Sequence, residues 1–271
     1  MKSKTFEPPI RTLMGPGPSD VSQRVLNAMA KNTIGHLDPS FVSMMDDTKN
    51  LLRYAFQTKN ELTFAVSAPG SAGMECCFVN LVEPGDKVII CQNGYFGDRM
   101  KENVERCGGI AVMVHDDWGT KIDISKVETT LKENPDACIL AFVHAETSTG
   151  VKSDPKELVD LAHKHDCLTI CDTVTGLAGI PLKVDEWNID AVYSGTQKCL
   201  SAAPGLSPIT FNKACEEKIK NRKERVQSWF LDLNLIMSYW DGDGARAYHH
   251  TAPINNLYGL HEALVILSEE G

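Results

Sequence analysis

Short, almost continuous apolar runs, each closed by turn chemistry and separated by helix-length segments, restrict this chain to few architectures. The runs are Thr63–Ser67, Val88–Cys91, Ile110–Val114, Ala137–Val143, Cys167–Cys171, Ala191–Tyr193 and Pro208–Phe211. Strands with both faces buried read this way, and they occur where helices cover both sides of a parallel sheet. Helical patterns lie between them: about Val21–Ala30, Phe41–Phe56, Ser71–Leu81 and Asp98–Cys107. Two more run from a cap at Asp123 or Ser125 to Lys132, and from Ser153-Asp154-Pro155 to His165. Ser19 or Asp20 is placed to cap the first helix. The alternation predicts an α/β fold, a mainly parallel sheet sandwiched by helices. No Gly-x-Gly-x-x-Gly follows a strand and no Walker loop is present, so nicotinamide and ATP readings lack their motif.

Three runs lead into residues that carry chemistry. Thr63–Ser67 enters the small-residue loop Ala68-Pro69-Gly70-Ser71-Ala72-Gly73. Cys167–Cys171 ends in Asp172, and Ala191–Tyr193 leads through Ser194-Gly195-Thr196-Gln197 to Lys198. In a parallel sheet those three ends share the edge where ligands bind. Lys198 is the lone basic residue between Val184 and Asn212. Two uses of it are open at this point. It is a loop lysine that snorkels to water, or a desolvated amine with a lowered pKa that forms a Schiff base. The second use has the right company. A lysine, a carboxylate and a loop whose amides face an anion are what pyridoxal phosphate requires: a partner for its aldehyde, one for its pyridinium and one for its phosphate. Two loops reach the same edge. Asn93–Gly97 offers Tyr95 and Phe96 to stack on a flat ring, and His144–Gly150 is polar.

The composition, 42% apolar and 23% charged over 271 residues, suits one large domain or two smaller ones. A net charge of −9 argues against nucleic acid or an anionic membrane surface as partner. No run of ~18 apolar residues predicts a membrane span, and Met1–Arg11 lacks the apolar core of a secretory signal. Nine scattered cysteines without a Cys-x-x-Cys read as free thiols in a reducing compartment. No metal is expected: His163 and His165 fall on different helix faces, and the side chains of His249 and His250 diverge. After Phe211 a charged helix is expected over Lys213–Arg225, and an amphipathic, aromatic-rich segment over Trp229–Trp240. A turn at Asp241–Gly244, a polar cluster at 248–251 and a helix over Asn256–Glu270 complete the reading.

Five motifs appear in order: Gly15-Pro16-Gly17-Pro18, Gly70-Ser71-Ala72-Gly73-Met74-Glu75, Glu146-Thr147-Ser148-Thr149-Gly150, Ser194-Gly195-Thr196-Gln197-Lys198 and Tyr248-His249-His250-Thr251. Together they resemble the alanine/serine–glyoxylate (serine–pyruvate) branch of the class V aminotransferases, over the whole chain. The resemblance implies the large domain of the aspartate-aminotransferase-like fold over 21–271, with an N-terminal arm, 1–20, serving the active site and a homodimer. It implies pyridoxal 5'-phosphate as cofactor and amino transfer between a small amino acid and a 2-oxo acid. Lys198 would be the Schiff-base lysine and proton shuttle, and Asp172 would hold the ring nitrogen protonated. Phe96 would stack on the ring where relatives often have tryptophan, and Val174 would pack on its other face. Thr147 would bond the ring hydroxyl. Gly70, Ser71 and Gln197 would contact the phosphate, with Tyr248 and Thr251 reaching the phosphate of the partner subunit. Gly17 and the Gly35-His36 loop would line the substrate site. Pro69 replaces a small residue that donates to the phosphate in relatives. The family's small C-terminal domain, with its carboxylate-binding arginine, is expected to lie beyond Gly271. The expected location is cytoplasmic, with an organelle such as a peroxisome or mitochondrion left open, since a C-terminal address would lie beyond Gly271. The alternatives are a truncated, non-catalytic cofactor-binding dimer and a sister activity such as ureidoglycine–glyoxylate aminotransferase. Gln197 argues against a cysteine desulfurase, which usually has histidine before its lysine.

Overall fold

In the computed structural model, which describes residues 3–241 and 246–271, each of those apolar runs is a strand. Helices α1 (Gln23–Met29) and α2 (Pro39–Phe56) precede β1 (Leu62–Val66). Then come α3 (Gly70–Leu81), β2 (Lys87–Gln92), α4 (Tyr95–Arg106), β3 (Ile110–His115), α5 (Ile124–Glu133) and β4 (Ala137–Val143). A short ribbon, β5 (Ala145–Glu146) with β6 (Val151–Lys152), leads to α6 (Pro155–His163), β7 (Leu168–Asp172), β8 (Ala191–Tyr193) and β9 (Ser207–Phe211). Helices α7 (Lys213–Lys220), α8 (Leu233–Trp240) and α9 (Ile254–Glu270) follow.

The main sheet has the order β1-β9-β8-β7-β4-β2-β3. From β8 to β3 every pairing is parallel. Strand β9 runs antiparallel to both β1 and β8, so β1 points the same way as the parallel strands. The ends of β1, β7 and β8 therefore do share one edge, as the sequence predicts. Burial explains the apolar runs: β1, β8 and β9 are buried at every position, and β7 at all but its first. Strand β1 is an edge strand, yet α2 packs over it and Trp240 of α8 lies against Phe64, ring centres 5.5 Å apart. The other edge, β3, stays open, with Ile110 half-exposed. Fully buried side chains such as Phe41, Phe56, Phe78 and Phe142 each stabilise the fold by ~1.5–3 kcal/mol relative to exposure.

Helix starts follow the capping chemistry. The Asp38 and Asp154 carboxylates accept from Ser40 N and Lys156 N, with proline next in each case. Of the two candidates for α5, Asp123 is the cap. The cap of α1 is Ser22 rather than Ser19 or Asp20, because Ser19 is used elsewhere.

Long-range partners move other boundaries. Tyr95–Gly97 is the first turn of α4, not a loop. Part of the 144–150 loop is the β5–β6 ribbon. The charged helix stops at Lys220, not Arg225, because the Arg222 guanidinium donates to the carbonyls of Asn80 (2.9 Å) and Val82 (3.0 Å). The Glu83 carboxylate accepts from Lys223 N and Glu224 N in the same stretch. Helix α8 begins only at Leu233, where Asp232 caps it. The turn expected at 241–244 falls, after Asp241, outside the described residues. Among the described residues no helix is long and apolar enough to cross a membrane.

Asn80 ties α3 to the segment that enters α8. It is fully buried and donates to the carbonyls of Cys76 (2.7 Å) and Leu231 (2.7 Å), while accepting from Leu233 N (3.0 Å). Asn80→Ala strands a buried carbonyl and a buried N–H, so the free energy of unfolding in urea is expected to fall by about 2–4 kcal/mol with an unchanged m-value. A loss below about 0.5 kcal/mol would show that water replaces the side chain at no cost.

Candidate active site

The site is built from the floor upward. Strand β7 ends at Asp172, whose carboxylate is buried at 3% exposure. One oxygen accepts from Val174 N (2.8 Å) and the other from the Tyr193 hydroxyl (2.7 Å), which hangs from the neighbouring β8. Burial nevertheless prevails over both bonds and pushes the Asp172 carboxyl up to about 6, with the Glu146 carboxylate also raising it and Lys198 lowering it. A cation placed against Asp172 would relieve that burial.

Five residues past β8, Lys198 sits half-buried in a turn. Its desolvation lowers the amine's proton affinity, opposed by the charge of Asp172. The N-terminal arm folds over this turn. Ser19 N donates to the Gln197 carbonyl (2.8 Å), the Ser19 hydroxyl donates to the Lys198 carbonyl (2.7 Å), and Lys198 Nζ donates to the Pro16 carbonyl (2.6 Å). Gly17 sits at φ +131°, a conformation strained for any other residue, and lies so close that an added Cβ would fall 2.5 Å from Lys198 Nζ, so the lysine tip would have to move. Lys198, Gly17, Ser19, Thr147, Glu146 and Cys199 are among the residues lining a cavity of about 410 Å3. Size does not pick the site, since a cleft of about 740 Å3 lined by Ser71, Arg99 and Arg106 contains no lysine.

Gly70, Ser71, Phe96, Asp172, Val174 and Gln197 do not line that cavity; they surround the same edge. Helix α3 starts at Gly70 with no side-chain cap, leaving its first amides for an external acceptor. An atom added at Gly70 would lie 3.4 Å from the Ser194 carbonyl and 3.5 Å from Val174, so this terminus abuts the turn toward Lys198. Gln197 Oε1 is buried there without a partner. Arg99, on α4, stands 5.0 Å from the ring centres of both Tyr95 and Phe96 and reaches Ser71 Oγ at 3.4 Å, which links the stacking candidate to the α3 terminus.

Tyr248, Thr251 and His36 form a separate group. Tyr248 is exposed, contacts Thr251 Oγ1 at 3.4 Å and lies with its ring 5.1 Å from that of His36. His250 Nε2 meets Ser67 Oγ at 2.7 Å, which brings this group to the end of β1. Burial, aided by His249 and His36, pushes His250 down to about 4. His144, buried with both ring nitrogens unpartnered, is likewise pushed down to about 4 by burial.

Four residues that sequence reasoning did not single out complete the edge. Tyr193 read as one more apolar strand position, and Ser19 as a cap. Glu146 stood only as the first residue of the motif that holds Thr147, and Arg99 carried no signal beyond lying in a helix near the edge. The chemistry available is an amine with lowered proton affinity, a buried carboxylate awaiting a cation, and helix amides awaiting an anion.

Comparisons with known proteins bear on the family and the fold. Residues 13–271 match the family model described as Aminotransferase class-V. The chain is 39% identical over 264 residues to an alanine–glyoxylate aminotransferase of Oryctolagus cuniculus, covering 97% of this chain and 67% of that protein. It is 37% identical to the (S)-ureidoglycine–glyoxylate transaminase of Bacillus subtilis, covering 97% and 67%. The crystal structure of an alanine–glyoxylate aminotransferase from Nostoc sp. superimposes with a TM-score of 0.97 at 43% identity, covering 100% of this chain and 71% of that one. The chain thus spans about two thirds of the length of such relatives, 64% to 67% for the rabbit and cat proteins.

Proposed function

We propose, from the premise that this chain belongs to the class-V aminotransferase family, that it binds pyridoxal 5'-phosphate at the shared strand edge and transfers an amino group from alanine or serine to glyoxylate or pyruvate. The observation that carries this reading is Lys198, half-buried in the lining of a cavity it shares with Gly17 and Thr147, its proton affinity lowered by burial, beside the strand end that holds the buried Asp172. Glyoxylate is the favoured acceptor because it appears in the names of both the alanine-dependent and the ureidoglycine-dependent relatives. Alanine is the favoured donor because it appears in the names of several curated relatives at 36–39% identity.

Bound there, pyridoxal phosphate supplies an aldehyde open to amines and a ring that draws electrons from the substrate Cα. Lys198 Nζ would act as nucleophile and carry the proton to and from that carbon; burial lowers its proton affinity, opposed by the charge of Asp172. Asp172, fixed by Tyr193 and Val174 N, holds a proton on the ring nitrogen. The open amides at the start of α3, with Ser71 and Gln197, hold the phosphate. Phe96 and Val174 would cover the ring faces, and Thr147 would bond the ring hydroxyl. Gly17 and His36 border the substrate. A homodimer places Tyr248 and Thr251 on the phosphate held by the second copy, with residues 1–20 as an arm at the shared site.

The test is incubation with pyridoxal phosphate, borohydride reduction and peptide mass analysis, followed by a panel of alanine, serine and (S)-ureidoglycine against glyoxylate and pyruvate. The expected result is a visible chromophore bleached by borohydride, a label on the Lys198 peptide, and the fastest turnover with alanine and glyoxylate. No chromophore, or a label on another lysine, would overturn the reading.

A further inference from the structure

Helix α4 starts in an unusual way. Gly94 precedes it and offers no side chain, so its first amides have no local cap. They are satisfied from a loop about 50 residues later. The Glu146 carboxylate accepts from Phe96 N (3.2 Å) through one oxygen, and through the other from Ser148 N (3.0 Å) and Ser148 Oγ (2.7 Å). Ser148 Oγ in turn accepts from Tyr95 N (3.0 Å). The Glu146 side chain is buried at 1% exposure, and no ion pair among the described residues includes it. A buried carboxylate without a cation is costly unless fixed dipoles compensate. Here the compensation is the positive end of a 12-residue helix together with three N–H and O–H donors. The approach also demands glycine at 94, where an added Cβ would lie 2.2 Å from Glu146 Cγ and 2.7 Å from Ser148 Oγ.

The joint brackets Thr147. Residues 146 and 148 bond the amides of 96 and 95, so Thr147 and Phe96, which come from the ends of two neighbouring strands, are locked in one register. We infer that Glu146 is a positioning residue: its buried carboxylate joins the Thr147 loop to the first turn of α4 and so sets the Phe96 ring against the Thr147 hydroxyl around the cofactor ring. The inference rests on the proposed cofactor site, and it assigns no chemistry to Glu146 itself. The carboxylate acts as an acceptor, so glutamine, which keeps an acceptor oxygen of the same reach, serves in part; alanine does not.

The test compares wild type, Glu146→Ala, Glu146→Gln and Gly94→Ala by two readouts. Without cofactor, amide hydrogen exchange at Tyr95 and Phe96 is expected to quicken about tenfold or more in Glu146→Ala and Gly94→Ala, and to return most of the way in Glu146→Gln. With pyridoxal phosphate, the label on Lys198 is expected to persist in Glu146→Ala. The visible circular dichroism per bound cofactor should then fall at least about threefold and cofactor dissociation should quicken about tenfold, both partly recovered in Glu146→Gln. Exchange or dichroism unchanged in Glu146→Ala would overturn the inference, as would a glutamine variant no better than alanine. A wild type that takes up no cofactor would sink the proposed function instead, and the exchange measurements would still decide whether Glu146 holds the helix. Gly94→Ala keeps the glutamate but pushes it off the helix end; far-UV circular dichroism unchanged from wild type in both variants excludes a simple folding failure.

Discussion

Lys198→Ala is expected to lose all borohydride-fixed cofactor and to cut amino transfer about 10²–10⁴-fold, the usual contribution of a positioned proton-transferring group. The fold should survive. The amine is only half-buried, and among the described residues the single hydrogen bond it makes is to the Pro16 carbonyl. The arm stays anchored without it, because Ser19 bonds the backbone carbonyls of Gln197 and Lys198, which alanine retains. The melting temperature of the cofactor-free protein should therefore change by no more than a few degrees. Turnover within a few-fold of wild type in this variant would remove Lys198 from the chemistry.

Asp172→Asn is expected to act in opposite directions on stability and on catalysis. Burial holds the folded-state carboxyl at about 6, above its usual 3.8. As pH rises, the unfolded chain releases this proton first. The contribution of Asp172 to stability is thus fully present below about pH 4 and is lost as pH rises through about 6, levelling off above. The shift of about two units corresponds to a penalty of up to about 3 kcal/mol at neutral pH. Asparagine removes the charge, so the cofactor-free variant should be more stable than wild type at pH 7 by about 1–3 kcal/mol, and nearly equal to it at pH 4. In the cofactor-loaded protein the same change removes the anion that faces the ring nitrogen, and turnover should fall by about 10²–10³-fold. Thermal melts at pH 4 and pH 7 check the first expectation. A variant less stable than wild type at pH 7 would mean that the bonds from Tyr193 and Val174 outweigh the burial.

These two residues were legible because their signals are local. An aspartate and a lysine each follow a short apolar run, and parallel strand order places such ends on one edge. Helix starts at Asp123 and Asp154 were legible for the same reason, since a cap bonds an amide two residues on; the helix expected from Phe41 starts two residues earlier, at Pro39, where Asp38 caps it. Tyr193 was not. Its ring belongs to the apolar pattern of β8, while its hydroxyl serves a carboxylate 21 residues upstream. Ser19 resembles a cap yet bonds a turn near residue 198. The start of α4 and the end of α7 depend on Glu146 and on the Asn80 and Val82 carbonyls, and no periodicity records such partners.

The sequence by itself determined which segments are strands or helices, which strand ends carry chemistry, and the family. These follow from apolar period and short-range hydrogen bonding, which act within a few residues. Tertiary structure alone decided where α4 begins, what holds Asp172 in place, and how the arm covers Lys198. Each of those rests on a polar group whose partner lies far along the chain, so the partner is whichever donor or acceptor the fold brings near, and no local pattern records it.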